Sequence, residues 1–199
     1  MKTKEFNIYK YNEIEDEKQR GKILEKYRDI LIDDNFAFLE DDLKEILKED
    51  YNINNAKVYY NFGYSQGNGL RFECDDLLAS DYLKKVVKAA LTKNEKAQMT
   101  NILKKYYLTF KSIHGGHHLY NYATKYDIDY DFSGDNMTEK QEKLINKIVD
   151  ILTDEYLNIC KRLELIGYGC YDVDNGQVMD YFDENDINFI NINGKYMEV

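Results

Sequence analysis

Residues 57–75 read KVYYNFGYSQGNGLRFECD, and this stretch decides the fold class. Apolar and polar side chains alternate on both sides of its glycine-rich centre, which is the period of β-strands. The centre, Ser65-Gln66-Gly67-Asn68-Gly69, leads from one strand into the next and therefore predicts a β-hairpin turn. A phosphate-binding glycine loop would instead lead from a strand into a helix.

Helical periodicity surrounds this hairpin on both sides. Apolar residues recur at three- and four-residue steps in four segments, which are 12–32, 36–47, 79–105 and 138–166. The Asp33-Asp34-Asn35 motif predicts a break between the first two helices, and the TKNEK motif at 92–96 predicts a break within the third. Thr138 and Gln141 have the spacing of a capping box at the start of the last helix. The Gly167–Gly169 segment is predicted to end it.

Two further pairs of strands complete the pattern. The first has arms at 106–113 and 118–132, joined by the turn HGGHH at 114–118. The second follows an acidic helix around 175–185 and turns at Asn193-Gly194, which is the strongest short hairpin signal. Paired strands between helices predict an α+β fold, with an antiparallel sheet built from hairpins and covered on one face by long helices.

The domain organisation follows from the length and from the absence of a linker. The 199 residues lack proline and contain no linker-like segment, so we expect a single α+β domain over 1–199. The two units 56–105 and 106–166 each consist of a hairpin followed by a helix. They predict a loose structural repeat.

Composition limits the class of protein. The chain carries 37 acidic and 27 basic side chains, a net charge of −10, and 14% aromatic residues, which favours a packed core over disorder. An acidic chain repels nucleic acid and attracts basic proteins. The three cysteines form no close-spaced pair, and no apolar run is long enough for a membrane. We therefore expect a cytoplasmic protein without a membrane span.

All three histidines lie in the turn of the second hairpin. With a two-residue turn at Gly115-Gly116, His114 and His117 face each other across the strands, and His118 points to the opposite side. Two facing imidazoles with a nearby carboxylate are a weak candidate for a divalent-metal site. The same residues are also typical of a turn or a binding surface, so we expect no catalytic residue and no cofactor.

The segment 171–186 concentrates the negative charge, with six acids and no base. Such a run can imitate DNA phosphates and occupy a basic nucleic-acid channel, or it can be a solvated surface. We expect partner binding at the two turns and at this segment. The candidate residues are Ser65, Gln66, Asn68, His114, His117, His118, Asp172, Asp174, Asp180, Asp183, Glu184 and Asp186.

Four stretches together carry a resemblance: YKYNEIEDEKQRGKILEKYRDI, FGYSQGNGLRFECD, SIHGGHHLYNYATKYDIDYD and DVDNGQVMDYFDENDINFININGKYM. In these motifs the chain resembles a family of uncharacterised phage and prophage accessory proteins with a YSQGDG-type hairpin, in which Asn68 stands where aspartate is usual. The resemblance implies an accessory protein of a mobile genetic element that acts in the bacterial cytoplasm. It transfers no catalytic residue.

Three hypotheses about function follow. The first is a non-catalytic inhibitor of a host defence system, whose partner would be a basic nucleic-acid-handling enzyme. Its most specific form is an anti-CRISPR protein that blocks a Cas9-type nuclease. The second is a metal-dependent hydrolase or nuclease that uses the hairpin with His114 and His117. The third is a binding protein that sequesters a signalling nucleotide, since exposed tyrosines can stack on bases.

Overall fold

A computed structural model describes residues 7–63, 68–105, 107–112, 128–133 and 137–199. Within these ranges the helices are α1 (Glu17–Glu49), α2 (Asp81–Ala90), α3 (Lys93–Lys105), α4 (Glu139–Gly169) and α5 (Asn175–Glu184). The strands are β1 (Ile8–Tyr9), β2 (Lys57–Asn61), β3 (Gly69–Glu73), β4 (Tyr107–Ser112), β5 (Ile128–Ser133), β6 (Phe189–Ile192) and β7 (Lys195–Glu198). The α+β class is confirmed. None of the helices in these ranges has the length and apolar character needed to cross a membrane.

The described strands pair antiparallel in three small sheets. β1, β6 and β7 form one sheet in the order β1-β6-β7, while β2 pairs with β3 and β4 pairs with β5. The hairpin at 57–73 is therefore confirmed, with Val58 opposite Phe72. The turn at Asn193-Gly194 is also confirmed, since both residues have positive φ angles, 54° and 81°.

The chain divides into two compact units. The terminal unit comprises Met1–Phe38 and Gly169–Val199, and the central unit comprises Leu39–Tyr168. One folding domain can contain two compact units, so a single domain over 1–199 stays a prediction. In the central unit the order of hairpin and then helix occurs twice, and a structural repeat of 56–105 and 106–166 stays a prediction as well.

The core of the central unit is built along α4. Its predicted apolar positions are all buried, namely Leu144, Ile148, Leu152, Tyr156, Ile159 and Leu163. The capping box is present, because the Thr138 amide donates to Gln141 Oε1 at 2.9 Å and the Gln141 amide donates to Thr138 Oγ1 at 3.4 Å. A break near the TKNEK motif is also confirmed, since α2 ends at Ala90 and α3 begins at Lys93.

A smaller core holds the terminal unit together. Ile23 and Tyr27 of α1 pack with Val178 and Phe182 of α5 and with Phe189 of β6. The ring centroids of Tyr27 and Phe182 lie 4.8 Å apart in an edge-to-face arrangement, which is a favoured geometry for aromatic pairs. The acidic helix predicted around 175–185 is thus present as α5, with one face buried.

The predicted break at Asp33-Asp34-Asn35 is wrong, because α1 continues through these residues. All three are exposed, so their polar side chains are not buried against the core. Asn35 also donates from its side chain to the Cys170 carbonyl at 3.2 Å, a contact that lies within the terminal unit. Tertiary contacts of this kind outweigh the weak helix preference of Asp and Asn.

The predicted register of the second hairpin is also wrong in its described part. A two-residue turn at Gly115-Gly116 would place Phe110 opposite Asn121, whereas Phe110 pairs with Tyr130 and Ser112 pairs with Ile128. The observed register sets aromatic and aliphatic side chains against each other across the strands, which stabilises the pair. The turn itself, 114–118, lies outside the described residues.

Candidate binding grooves

The structure describes only some of the predicted site residues. Ser65, Gln66, His114, His117 and His118 lie outside the described residues, so the metal site at His114 and His117 stays a prediction. Asn68 is partly buried directly before β3, and the six acids of 171–186 are all exposed. Of the predicted surface, the structure thus describes Asn68 and the acidic segment.

The acidic segment begins with a residue that has a structural role. Asp174 is the N-cap of α5, where its carboxylate accepts from the Gln177 amide at 2.9 Å, and the Gln177 side chain accepts from the Asp174 amide at 2.9 Å. This capping box satisfies amide groups that a helix start would leave unpaired. Asp174 therefore stabilises the helix start.

At the other end of the segment, Asp186 forms an ion pair with Lys10. The Lys10 ammonium, which donates a hydrogen bond to the carboxylate, holds the pKa of Asp186 below its ordinary value. This pair connects the end of the acidic segment to the residue after β1. The negative charge of Asp186 is thus compensated by a basic side chain of the same chain.

The remaining acids differ from these two. Asp172, Asp180, Asp183 and Glu184 have neither a hydrogen bond nor an ion pair through their carboxylates with any residue in the described part of the chain. Val178 and Phe182 bury the inner face of α5, and this packing directs the acidic positions of the helix to solvent. The helix therefore presents uncompensated carboxylates.

Two of these carboxylates line a groove between α1 and α5, which we call the acidic groove. It has a volume of about 220 Å³, and its walls are formed by Leu31, Asn35, Val173, Gln177, Asp180, Tyr181 and Glu184. Asp180 and Glu184 are one helical turn apart and so lie on the same side of α5. The groove thus combines aliphatic walls with two negative charges.

Arg28 holds one side of the acidic groove in place. Its Nε donates to the Val173 carbonyl at 3.2 Å, and its Nη2 donates to Asn175 Oδ1 at 2.7 Å. These bonds fix the segment that leads into α5 against α1. The guanidinium is used in this internal contact, so the shape of the groove is largely set before any ligand binds.

A second groove in the terminal unit has the opposite charge, and we call it the basic groove. It lies between the first turns of α1 and the β6–β7 hairpin and has a volume of about 550 Å³. Lys18, Lys22, Lys26 and Lys195 line it, together with Asp16, Gln19, Ile23, Gly194 and Tyr196. The sequence contains one signal for it, since Lys18, Lys22 and Lys26 recur at four-residue steps on one side of a helix.

Metal-binding groups and reactive thiols were two possible sources of chemistry among the described residues. They include no group of three or more His, Cys, Asp or Glu side chains that could hold a metal ion. Burial raises the pKa of Cys160 to about 12 and also raises the pKa of Cys74. These thiols are protonated at neutral pH, and a protonated thiol is a poor nucleophile.

Comparisons with known proteins gave no match for the chain. No protein-family model matches it, and neither a curated protein nor a solved structure is significantly similar to it. The resemblance to phage and prophage accessory proteins therefore stays a prediction.

Proposed function

We propose that the protein is a non-catalytic binding protein that engages a basic partner protein through the acidic groove and the exposed acids of α5. The observation that carries this proposal is the set of uncompensated carboxylates at Asp180, Asp183 and Glu184. Like charges one turn apart destabilise an isolated helix, whereas a cationic partner would relieve their repulsion.

The shape of the acidic groove suits a lysine or arginine side chain. Leu31 and Val173 can cover the aliphatic stem of such a side chain, since these stems pack well on apolar surface. Asp180 and Glu184 can then accept hydrogen bonds from the ammonium or guanidinium head, and charge-assisted bonds of this kind are stronger than neutral ones. A single basic side chain inserted here would anchor the partner.

The charge of the whole chain favours the same type of partner. A net charge of −10 accelerates encounter with a basic protein and opposes direct binding to nucleic acid. We propose that the partner is a nucleic-acid-handling enzyme in the cytoplasm of a bacterial host. In its most specific form, the proposal is that the partner is a Cas9-type nuclease. The resemblance to phage accessory proteins supports this choice of partner.

The test measures binding to a purified Cas9-type nuclease and inhibition of its DNA cleavage. The Asp180→Asn/Glu184→Gln variant removes both charges of the acidic groove with little change in volume. We expect its affinity for the nuclease to fall by at least about tenfold, as loss of charged hydrogen bonds predicts. Inhibition of cleavage should weaken in parallel.

The Glu45→Gln/Glu49→Gln variant is the matched control. It also removes two exposed acids one turn apart on a helix, but these residues do not line the acidic groove. We expect its affinity to stay within about twofold of the original, because exposed charges outside an interface contribute little. Equal losses in both variants would contradict the acidic groove as the binding site.

A further inference from the structure

The basic groove is an unexpected feature in a chain with a net charge of −10. Four of its lining residues are lysines, and Asp16 is the one carboxylate among them. That carboxylate already accepts from the Lys18 and Gln19 amides at 3.0 and 3.1 Å, as the cap of α1. The groove therefore has an excess of positive charge.

Most of this positive charge is not neutralised inside the protein. Lys26 is paired with Glu198 at 3.3 Å. Lys18, Lys22 and Lys195 have no ion-pair partner in the described ranges of the chain. Three ammonium groups around one concave surface repel each other, and an anionic ligand would relieve that repulsion.

Hydrogen bonds to the hairpin hold the groove in shape. The Gln19 side chain donates to the Gly194 carbonyl at 2.6 Å and accepts from the Tyr196 amide at 3.0 Å. These two bonds fasten the β6–β7 turn to α1 on either side of Lys195. The lysine is thus carried by a turn whose backbone is fixed against the helix.

We propose that the basic groove binds a phosphate-bearing small molecule of nucleotide size. Ammonium groups bind phosphate oxygens through charge-assisted hydrogen bonds. The volume of about 550 Å³ lies in the range of small-molecule sites, about 300–1,000 Å³, and Ile23 and Tyr196 provide an apolar wall for a planar group. A nucleotide combines both chemical features.

A long nucleic acid is a poorer candidate for the same groove. Polymer binding relies on many phosphate contacts along an extended basic surface. The net charge of −10 would repel the phosphates that extend beyond the groove. This site does not depend on the proposed function, because the two grooves share no residue.

The experiment measures binding by calorimetry at one fixed ionic strength with three probes, namely ATP, inorganic tripolyphosphate and adenosine. We expect ATP and tripolyphosphate to bind and adenosine to bind at least tenfold more weakly. In the Lys18→Gln/Lys22→Gln variant, the affinity for ATP should fall by at least about tenfold, because two charged hydrogen bonds are lost.

The Lys48→Gln/Lys161→Gln variant is the matched control, since both of its lysines are exposed helical residues outside the groove. It should bind ATP within about twofold of the original chain. Urea unfolding of both variants establishes that they fold. No heat of binding with ATP at millimolar concentration, or an equal loss in both variants, would overturn the proposal. Tighter binding of a single-stranded oligonucleotide that survives Lys18→Gln/Lys22→Gln would overturn it as well.

Discussion

Gly167 shows how a single residue sets the packing of the central unit. It lies inside α4, and a Cβ atom at this position would come within 2.1 and 2.2 Å of two carbons of the Phe62 ring. Phe62 is only 5% exposed, so its ring has little room to move away. Glycine is thus required here for close approach between the helix and the end of β2.

We expect Gly167→Ala to destabilise the protein by about 1–3 kcal/mol, as overpacking of a filled core does. Gly21→Ala is the control, because Gly21 also lies within a helix and a Cβ there has nothing within 4 Å. That substitution should stabilise the protein by about 0.5–1 kcal/mol through helix propensity. Urea unfolding measures both values, and a stabilised Gly167→Ala variant would show that the packing argument is wrong.

The sequence predicts that the Gly167–Gly169 segment ends the last helix, and α4 does end at Gly169, with Gly167 inside its last turn. Glycine near the end of a helical pattern is typical of a C-cap. The packing role of Gly167 depends on its contact with Phe62, which is far away in sequence. Helical periodicity contains no information about that contact. Local patterns therefore predict the end of α4 correctly but not the packing contact of Gly167.

At the scale of elements, the Asp174 carboxylate caps α5, whereas the Asp183 carboxylate faces solvent without such a contact in the described part of the chain. We expect Asp174→Ala to lower the free energy of unfolding by about 1 kcal/mol, because the N-cap bond to the Gln177 amide is lost. Asp183→Ala, on the exposed side of the same helix, should change it by less than about 0.5 kcal/mol. Thermal or urea unfolding compares the two variants. If both lose the same stability, the capping box does not hold the helix start.

Ser112 joins the two hairpins of the central unit. Its hydroxyl accepts from the Cys74 amide at 2.8 Å and donates to the Phe72 carbonyl at 3.0 Å, and its own amide donates to the Cys74 carbonyl at 3.1 Å. The serine is 7% exposed. These bonds therefore connect β3 to the end of β4 in a buried position.

We expect Ser112→Ala to cost about 1–3 kcal/mol, because the Cys74 amide loses its partner in a buried position. Ser133→Ala is the control, since Ser133 is an exposed residue of β5. Its substitution should be neutral within about 0.5 kcal/mol. The measurement is the midpoint of urea unfolding, and an unchanged midpoint for Ser112→Ala would refute the proposed role of the hydroxyl.

Periodicity predicts most helices and strands correctly. It fails where contacts with residues distant in sequence determine the length of a helix or the register of a strand pair. The long apolar repeat of α4 and the Asn193-Gly194 turn are local signals, and both are confirmed. Within α1, the Asn35 side chain contacts the carbonyl of Cys170, a residue far away in sequence that local patterns do not take into account. The β4–β5 register likewise depends on which side chains meet across the strands, and glycines in a turn do not determine that.

At the scale of the whole molecule, buried ionisable groups make stability depend on pH. Burial raises the pKa of the Cys160 thiol to about 12, and it also raises the pKa of Tyr156 and of Tyr27. In the unfolded chain the thiol ionises near its ordinary pKa, about 8.5–9. The unfolded state thus releases a proton at a lower pH than the folded state does.

We expect the contribution of the protonated Cys160 thiol to the free energy of unfolding to be fully present below about pH 8.5. This contribution should be lost progressively as the pH rises towards 12. Between pH 8 and pH 10.5, this thiol should lower the free energy of unfolding by about 2 kcal/mol. Urea unfolding at a series of pH values measures it, and the slope is compared with that of Cys160→Ala. The variant should show a shallower decline over this interval; an identical decline in both proteins would exclude the thiol as its source.

The candidate sites were predictable to different degrees. The acidic segment is continuous in sequence, so composition alone identified it, although the separate roles of Asp174 and Asp186 needed their contacts. The basic groove joins Lys18 and Lys22 to Lys195, which comes from near the other end of the chain. In the sequence, the positive charges of these lysines are offset by neighbouring acids, so net charge does not reveal them. Only the fold brings the three lysines together.

The three cysteines differ in exposure, so the rates at which their thiols are labelled report on opening of the core. Cys160 is 0% exposed within the central unit, whereas Cys74 and Cys170 are partly exposed, one in each unit. A thiol-specific reagent should therefore modify Cys170 and, more slowly because burial raises its pKa, Cys74 in the folded protein. It should reach Cys160 only when the core around α4 opens. The rate at which the third label is added then measures the opening of the central unit, without an introduced probe.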